Sequence, residues 1–313
     1  MKEYGFGADI GGTTIKFGLF RTDGTLLEKW EIPTDTSDSG KHILSDIVAS
    51  VHGKMVEKDL TKDQVEGIGV GVPGAVNHQG VVNRAVNLGW GIVPIEKELA
   101  ELSGMRVKAA NDANVAALGE NWMGSGKGYD SIVMVTLGTG IGGGVVIDGK
   151  ILTGANGAGG EIGHMVVNEH EIEACGCGNY GCIEQYASAT GIVRMAKRAL
   201  ANASGDIAWK ALGDNLTAKD VFDQAKAGDA LACEVIEEVC NLLGTTIAKI
   251  CCVVDPDAVI IGGGVSKAGQ ILVDYLQEPF RSHAFHACKD TEIRLASLGN
   301  DAGIYGAVGL LLA

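Results

Sequence analysis

The sequence has little proline, few aromatic residues, no long hydrophobic run and a shortage of positive charge. Only 5 prolines occur in 313 residues and the glycines follow no three-residue period, which excludes collagen-like and proline-rich architectures. The longest apolar runs, such as Ile132–Val135 and Leu310–Ala313, fall far short of a bilayer span, so no membrane partner is expected. Lys and Arg number 25 against 39 Asp and Glu, a net charge of −14. That argues against nucleic acid as a partner, because binding a phosphate backbone needs a cationic face. It does not exclude a small anion held by backbone N–H groups. No apolar h-region follows Met1-Lys2-Glu3, so a cytoplasmic protein is expected, and with it free rather than disulfide-bonded cysteines.

What is abundant is glycine: 47 residues, about 15 % of the chain against roughly 7 % in an average protein. Hydrophobic residues make up 46 %, enough for a core, and the length suits one large domain or two ordinary ones. Apolar and β-prone segments between turn signals predict strands over 4–10, 13–20, 26–32, 65–72 and 106–110, with helices over 41–58, where apolar residues recur at helical spacing, and 95–102. A helix over 111–123 follows, then strands over 131–137 and 143–147 around a glycine turn. Later helices fall near 188–202, 218–227, 229–253, 267–279 and 301–312, with strands at 258–261 and 292–296. Thr217-x-x-Asp220 reads as a capping box. A strand–turn–strand–strand–helix–strand unit therefore occurs twice, which predicts two similar α/β lobes with a cleft between them. We place them at 1–110 plus 300–313, and at 111–299.

Three glycine turns stand out. Asp9-Ile10-Gly11-Gly12-Thr13-Thr14-Ile15-Lys16 lies between two strands. Such a turn offers successive N–H groups to phosphate oxygens; Thr13 and Thr14 add hydroxyls, Lys16 a charge, and Asp9 a carboxylate for Mg²⁺. It is neither a Walker A loop nor a dinucleotide fingerprint, since a strand follows and not a helix. A plain tight hairpin is an equal alternative for this turn alone. The second, Gly138-Thr139-Gly140 within LGTGIGGG, puts five glycines in eight residues, which would weaken an ordinary hairpin. The third, Gly262-Gly263-Gly264, follows a buried-type strand, where a base or ribose could rest on backbone.

Asn111-Asp112 sits between a strand and a helix. Asp112 there could accept a hydroxyl proton, though a helix N-cap is the commoner role for either residue. Glu161, His164 and Glu184 lie in glycine-rich loop sequence and could be polar groups of a ligand pocket or solvated charges. His164, Cys175, Cys177 and Cys182 supply one imidazole and three thiolates, a set that suits structural zinc, with free or redox-active thiols as the alternative. The remaining cysteines, Cys233, Cys240, Cys251, Cys252 and Cys288, read as buried thiols.

These motifs carry a resemblance. DIGGTTIK at 9–16, GVPGAV at 71–76, NLGW at 87–90, NDAN at 111–114, LGTGIGGG at 137–144, GAGGEIGH at 157–164, CGCGNYGCIE at 175–184, IGGGVS at 261–266 and GNDAGIYGA at 299–307 are similar to the ROK family of sugar kinases and repressors. The resemblance implies a two-lobed ribonuclease-H-like fold of the actin and hexokinase type. It implies transfer of the γ-phosphoryl group of ATP, with Mg²⁺, to the 6-hydroxyl of glucose. Asp112 becomes the general base; Asn111, Glu161, His164 and Glu184 become sugar ligands, with Gly74 and Asn87 lining the same site. The nucleotide falls to the three glycine turns, and the Cys₃His set holds zinc that pins loop 157–184. A kinase for fructose, mannose or N-acetylmannosamine is the nearest alternative, and a non-enzymatic sugar sensor a more distant one. The family's repressors carry an N-terminal helix-turn-helix, for which residues 1–8 leave no room. A homodimer or tetramer is expected. On this reading the glycine surplus is backbone shaped around ligands: fourteen of the 47 lie between Gly138 and Gly181.

Overall fold

The computed structural model describes residues 1–204 and 207–313. In chain order the elements are β1 (Tyr4–Ile10), β2 (Thr14–Arg21), β3 (Leu26–Pro33), α1 (Ile43–Glu57), β4 (Val65–Val72), α2 (Ile95–Ser103), β5 (Val107–Asn111) and α3 (Asp112–Met123). Then come β6 (Ile132–Leu137), β7 (Ile141–Ile147), β8 (Lys150–Ile151), α4 (Glu184–Ala187), α5 (Ala189–Asn202), α6 (Ala218–Lys226), α7 (Ala230–Val254), β9 (Ala258–Gly262), α8 (Gln270–His283), β10 (Glu292–Leu295) and α9 (Ala302–Leu312). Among the described residues two five-stranded sheets form, ordered β3-β2-β1-β4-β5 and β8-β7-β6-β9-β10. These are the same path through five strands, so the repeat read weakly from sequence is explicit in topology. β1 pairs antiparallel with β2 and parallel with β4, and β4 is parallel to β5.

Contacts group the chain into two compact units, 1–132 with 144–160 and 297–313, and 133–143 with 161–296. Residues 111–132 and 144–160 thus fall in the first unit, where the sequence reading put them in the second lobe. The reason is packing of α3. A Cβ on Gly306 of α9 would lie 1.7 Å from the Val115 carbonyl oxygen, and one on Gly119 of α3 would lie 2.2 Å from that of Ala302. The two helices therefore touch backbone to backbone. Asn114 of α3 donates in turn to the Gly159 carbonyl at 3.2 Å, which ties in the segment after β8.

Alternation divides the first sheet between two partners. Phe6, Phe17, Ile68 and Val70 point to one face and share a core with Ile43, Ile47 and Val51 of α1 and Ile95 and Leu99 of α2. The other face presents glycine, and α9 lies on it: a Cβ on Gly7 would be 2.2 Å from the Ile304 carbonyl oxygen and one on Gly69 only 1.6 Å from that of Ala307. Part of the glycine surplus therefore serves helix-on-sheet packing rather than a ligand. In the second unit the strand core of Val133, Val135 and Val259–Ile261 is buried, as are Ile236, Leu243 and Ile247 of α7 and Leu272, Leu276 and Phe280 of α8.

Local signals hold well. Thr217 and Asp220 form the capping box of α6, and Asp148-Gly149 turns β7 into β8 with φ of 50° and 71°. The helix expected over 267–279 is displaced to 270–283: a 3₁₀ turn occupies 264–268, and Gly269 at φ 83° separates it from α8. Pro279 does not end α8, and Gly244 of α7 leaves the room it needs, since a Cβ there would lie 2.9 Å from Pro279 Cβ. Of the cysteines expected to be buried, Cys252 is exposed and Cys233 half-buried. No helix among the described residues is long and apolar enough to cross a membrane.

Gly69→Ala should destabilise the protein by about 1–3 kcal/mol, because the new methyl has a carbonyl in its place and the strand cannot yield. Gly53→Ala, in α1 with open space around its Cβ position, should instead stabilise by up to about 1 kcal/mol. Urea denaturation of both variants measures the difference.

Candidate active site

In the first unit the predicted residues gather where β1, β4 and β5 end, the edge of a parallel sheet at which ligands bind. Asp9 is the penultimate residue of β1, on the face that α9 covers. Its carboxylate fits between two glycines: a Cβ on Gly303, in the first turn of α9, would lie 2.5 Å from Oδ2, and one on Gly71 of β4 would lie 3.2 Å from Oδ1. Burial, then the nearby Asp112 carboxylate, push Asp9 up to about 6, and Lys16 acts in the opposite direction. Lys16 is the cross-strand partner of Asp9, and its Nζ reaches the Asn300 carbonyl at 3.5 Å.

The first glycine turn is closed by the Gly11 N–H on the Thr14 carbonyl at 2.9 Å and braced by the Thr34 hydroxyl on the Gly11 carbonyl at 2.7 Å. Gly12 and Thr13 at its tip are exposed, and Asn87 stands beside Gly12. Asn111 is the N-cap of α3: its Oδ1 accepts the N–H groups of Ala113 at 3.0 Å and Asn114 at 3.3 Å, and its Nδ2 donates to the Gly74 carbonyl at 3.3 Å. The capping role therefore belongs to Asn111. Asp112 is the first residue inside the helix, where the free N–H groups and the dipole favour a negative charge. Its Oδ1 accepts the Ala113 N–H at 2.8 Å.

In the second unit the turn Gly138–Gly140 joins β6 to β7, closed by the Gly138 N–H on the Gly140 carbonyl at 3.0 Å. The start of α5 holds it from below: Ala189 N–H donates to the Gly138 carbonyl at 2.8 Å and the Thr190 hydroxyl to the Thr139 carbonyl at 2.7 Å. Glu184 holds it from the side, its Oε2 accepting the Ile141 N–H at 3.2 Å and filling the space that a Cβ on Gly140 would need. Gly263, at φ 83°, lies directly over Leu137, the residue that opens this turn. The second and third glycine turns are thus adjacent. Gly262 is buried at the end of β9, and Gly263 and Gly264 are exposed. A cavity of about 470 Å³ borders the second turn, lined among others by Thr139, Gly140, Glu184, Thr190, Gly191 and Arg194. Thr190 and Arg194 carried no signal in the sequence beyond the helix expected near 188–202.

The Cys₃His set converges. The four ligand atoms of His164, Cys175, Cys177 and Cys182 lie within 4.8 Å of one another. The Cys175 Sγ to His164 Nδ1 distance is 3.8 Å and the Cys177 to Cys182 Sγ distance 3.7 Å. A tetrahedron with metal–sulfur bonds of about 2.3 Å has edges of about 3.8 Å, so the geometry fits zinc. Burial pushes the Cys175 and Cys182 thiols up, and the Asn179 N–H pulls Cys177 down. A divalent cation among them would favour the thiolate throughout. His164 turns Nδ1 to this cluster and Nε2 toward Glu161, 3.8 Å from its Oε2. One imidazole can therefore serve a metal on one side and an organic ligand on the other.

A family model described as the ROK family matches residues 5–313. A protein named glucokinase from Halalkalibacterium halodurans is 42 % identical over 305 residues, covering 96 % of this chain and 92 % of that one. One of the same name from Thermotoga maritima is 38 % identical, covering 97 % and 96 %. Among solved structures, a ROK family glucokinase from Streptomyces griseus, in complex with glucose and AMPPNP, is 34 % identical at a TM-score of 0.76, with 98 % of both chains covered.

Protein purified without chelators should carry about one zinc per chain, measured by elemental analysis. Cys182→Ser should lower that content and the thermal midpoint together; a metal-free native protein of full stability would refute the assignment.

Proposed function

The chain belongs to the ROK family, and from that premise we propose that it is a glucokinase that transfers the γ-phosphoryl group of ATP to the 6-hydroxyl of glucose, releasing ADP and glucose 6-phosphate. The observation that carries this reading is the grouping of Asp9, Asp112 and the exposed Gly12–Thr13 turn where the parallel strands end.

Phosphoryl transfer asks for positioning, charge neutralisation and a base at the acceptor hydroxyl. Asp112 is that base: as the glucose 6-oxygen attacks the γ-phosphorus, its proton passes to the Asp112 carboxylate and the bond to the ADP oxygen breaks. Mg²⁺ supplies charge neutralisation at the phosphates, and Asp9 is the carboxylate that would hold it. The exposed turns at Gly11–Thr13, Gly138–Gly140 and Gly263–Gly264 offer backbone N–H groups and threonine hydroxyls to the nucleotide, and Thr14, Lys16 and Gly262 support them. Glu161, His164 and Glu184 receive sugar hydroxyls in this reading, and Asn87 and Gly74 are assigned to the same substrate. Asn111 has its Oδ1 committed to the helix cap, which leaves it one N–H for the sugar.

A coupled assay with ATP and a panel of hexoses tests the substrate: glucose should give the highest kcat/KM, and a preference for mannose, fructose or an N-acetylated hexose would replace the proposal by its nearest alternative. Asp112→Asn should lower kcat by about 10²–10⁴-fold with the fold intact by circular dichroism.

Asp9 also predicts a pH dependence. A carboxyl raised to about 6 is protonated below that pH, and only its ionised form holds a divalent cation. The Mg²⁺ concentration for half-maximal rate should therefore rise steeply as pH falls below about 6, approaching tenfold per pH unit. Asp9→Asn should lower activity and remove this dependence.

A further inference from the structure

Glu171 belongs to the loop between two of the predicted metal ligands, His164 and Cys175, and none of the chemistry above uses it. Its side chain is 2 % exposed, and every oxygen of its carboxylate is engaged. Oε1 accepts the N–H groups of Ile172 at 3.0 Å and Glu173 at 3.1 Å and a guanidinium N–H of Arg198 at 3.3 Å. Oε2 accepts the Tyr186 hydroxyl at 2.6 Å and the second fork of Arg198 at 3.3 Å, and it forms an ion pair with Arg194 Nη2 at 2.5 Å. Burial alone would raise this carboxyl; the donors from Tyr186, Arg198, Glu173 and Arg194 overcome it and hold the group far below the usual carboxylate range.

The partners matter for where they lead. Tyr186 is on α4, two residues from Glu184, whose other end receives the Ile141 N–H beside the second glycine turn. Arg194 and Arg198 are on α5, whose first two residues hold the Gly138 and Thr139 carbonyls. Both helices that touch that turn are therefore anchored on one carboxylate, and the carboxylate is carried by the metal-binding loop. Glu173, the next acid of the loop, backs the arrangement with Arg194 Nε at 3.1 Å and Arg198 at 3.2 Å.

We propose that Glu171 is a positioning residue for the nucleotide: it fixes α4 and α5 against the Cys₃His loop and thereby sets the second glycine turn. The inference rests on the reading that this turn binds ATP phosphates. Buried multi-donor networks of this kind are rigid when complete and lose their geometry when one acceptor is removed.

The test is calorimetric titration of the full, metal-loaded chain with AMPPNP, a non-hydrolysable ATP analogue, in wild type, Glu171→Gln and Lys197→Met, with zinc content and thermal midpoint measured on each. Lys197 is on α5 too, in an exposed pair with Asp214 at 2.8 Å, away from the turn. Glu171→Gln should keep its zinc and weaken AMPPNP by about tenfold, and Lys197→Met should bind as wild type. A lower midpoint with unchanged AMPPNP affinity would show a merely structural role and overturn the proposal, as would loss of zinc from Glu171→Gln. Should that variant not fold, Tyr186→Phe decides by the same criterion, with a smaller weakening expected and equal affinity overturning the proposal. A wild type that binds no AMPPNP at all would instead overturn the functional reading.

Discussion

Helix α9 comes close to the first sheet because β1 and β4 place glycines beneath it. Gly7 and Gly69 face carbonyl oxygens of α9 at distances where a methyl group cannot exist, and Gly306 and Gly119 repeat the contact between α9 and α3. This one approach determines where the acids stand. Asp9 is two residues beyond Gly7 on the same face of β1, so strand alternation alone brings it beneath the first turn of α9. The α3 axis is set by its contact with α9, and Asp112 is the residue with which α3 begins. Two carboxylates thus become neighbours through backbone packing rather than through a shared cation. Burial and mutual repulsion then raise Asp9, and Lys16 offsets them only in part.

Acidic side chains elsewhere act as acceptors for backbone. Glu120, wholly buried in α3, takes the N–H groups of Ser125 at 2.8 Å, Ser297 at 3.0 Å and Leu298 at 2.7 Å. It thereby fixes the point at which the chain returns to the first unit after β10. Glu184 does the same for Ile141, and Glu171 for Ile172 and Glu173. A buried carboxylate without partners would be expensive, but one that collects several donors is a rigid node.

The sequence made the elements and their order legible because each carries local chemistry: the apolar, glycine-rich run of β1, the Pro73-Gly74 stop after β4, the capping box of α6, the Asp148-Gly149 turn. Glycine motifs and the cysteine spacing located the turns and the Cys₃His cluster. Other features were hidden for a physical reason. The assignment of α3 to the first unit depends on contacts between helices almost two hundred residues apart, Gly119 with Ala302 and Gly306 with Val115, which no local window contains. Which of Asn111 and Asp112 caps α3 turned on one backbone conformation, since either residue can cap and only the structure shows Asn111 doing so. Nothing in the sequence singles out Glu171, because its arginines follow more than twenty residues later on α5.

Glycine and net charge answer the same question from two sides. An acidic chain of charge −14 would repel a polyphosphate if it met it with side chains. Some of its acids are engaged internally, Glu171 with two arginines and Glu120 with backbone amides. The groups exposed at the turns are backbone: Gly12, Gly263 and Gly264 have no side chain, and Thr13 and Thr139 add only hydroxyls. N–H groups carry no countercharge to be lost with pH, and they approach an anion as closely as the missing Cβ allows. A glycine that lets α9 lie on β4 and a glycine that bares an amide at a turn are thus the same device, close approach to backbone, applied once to a helix and once to a phosphate.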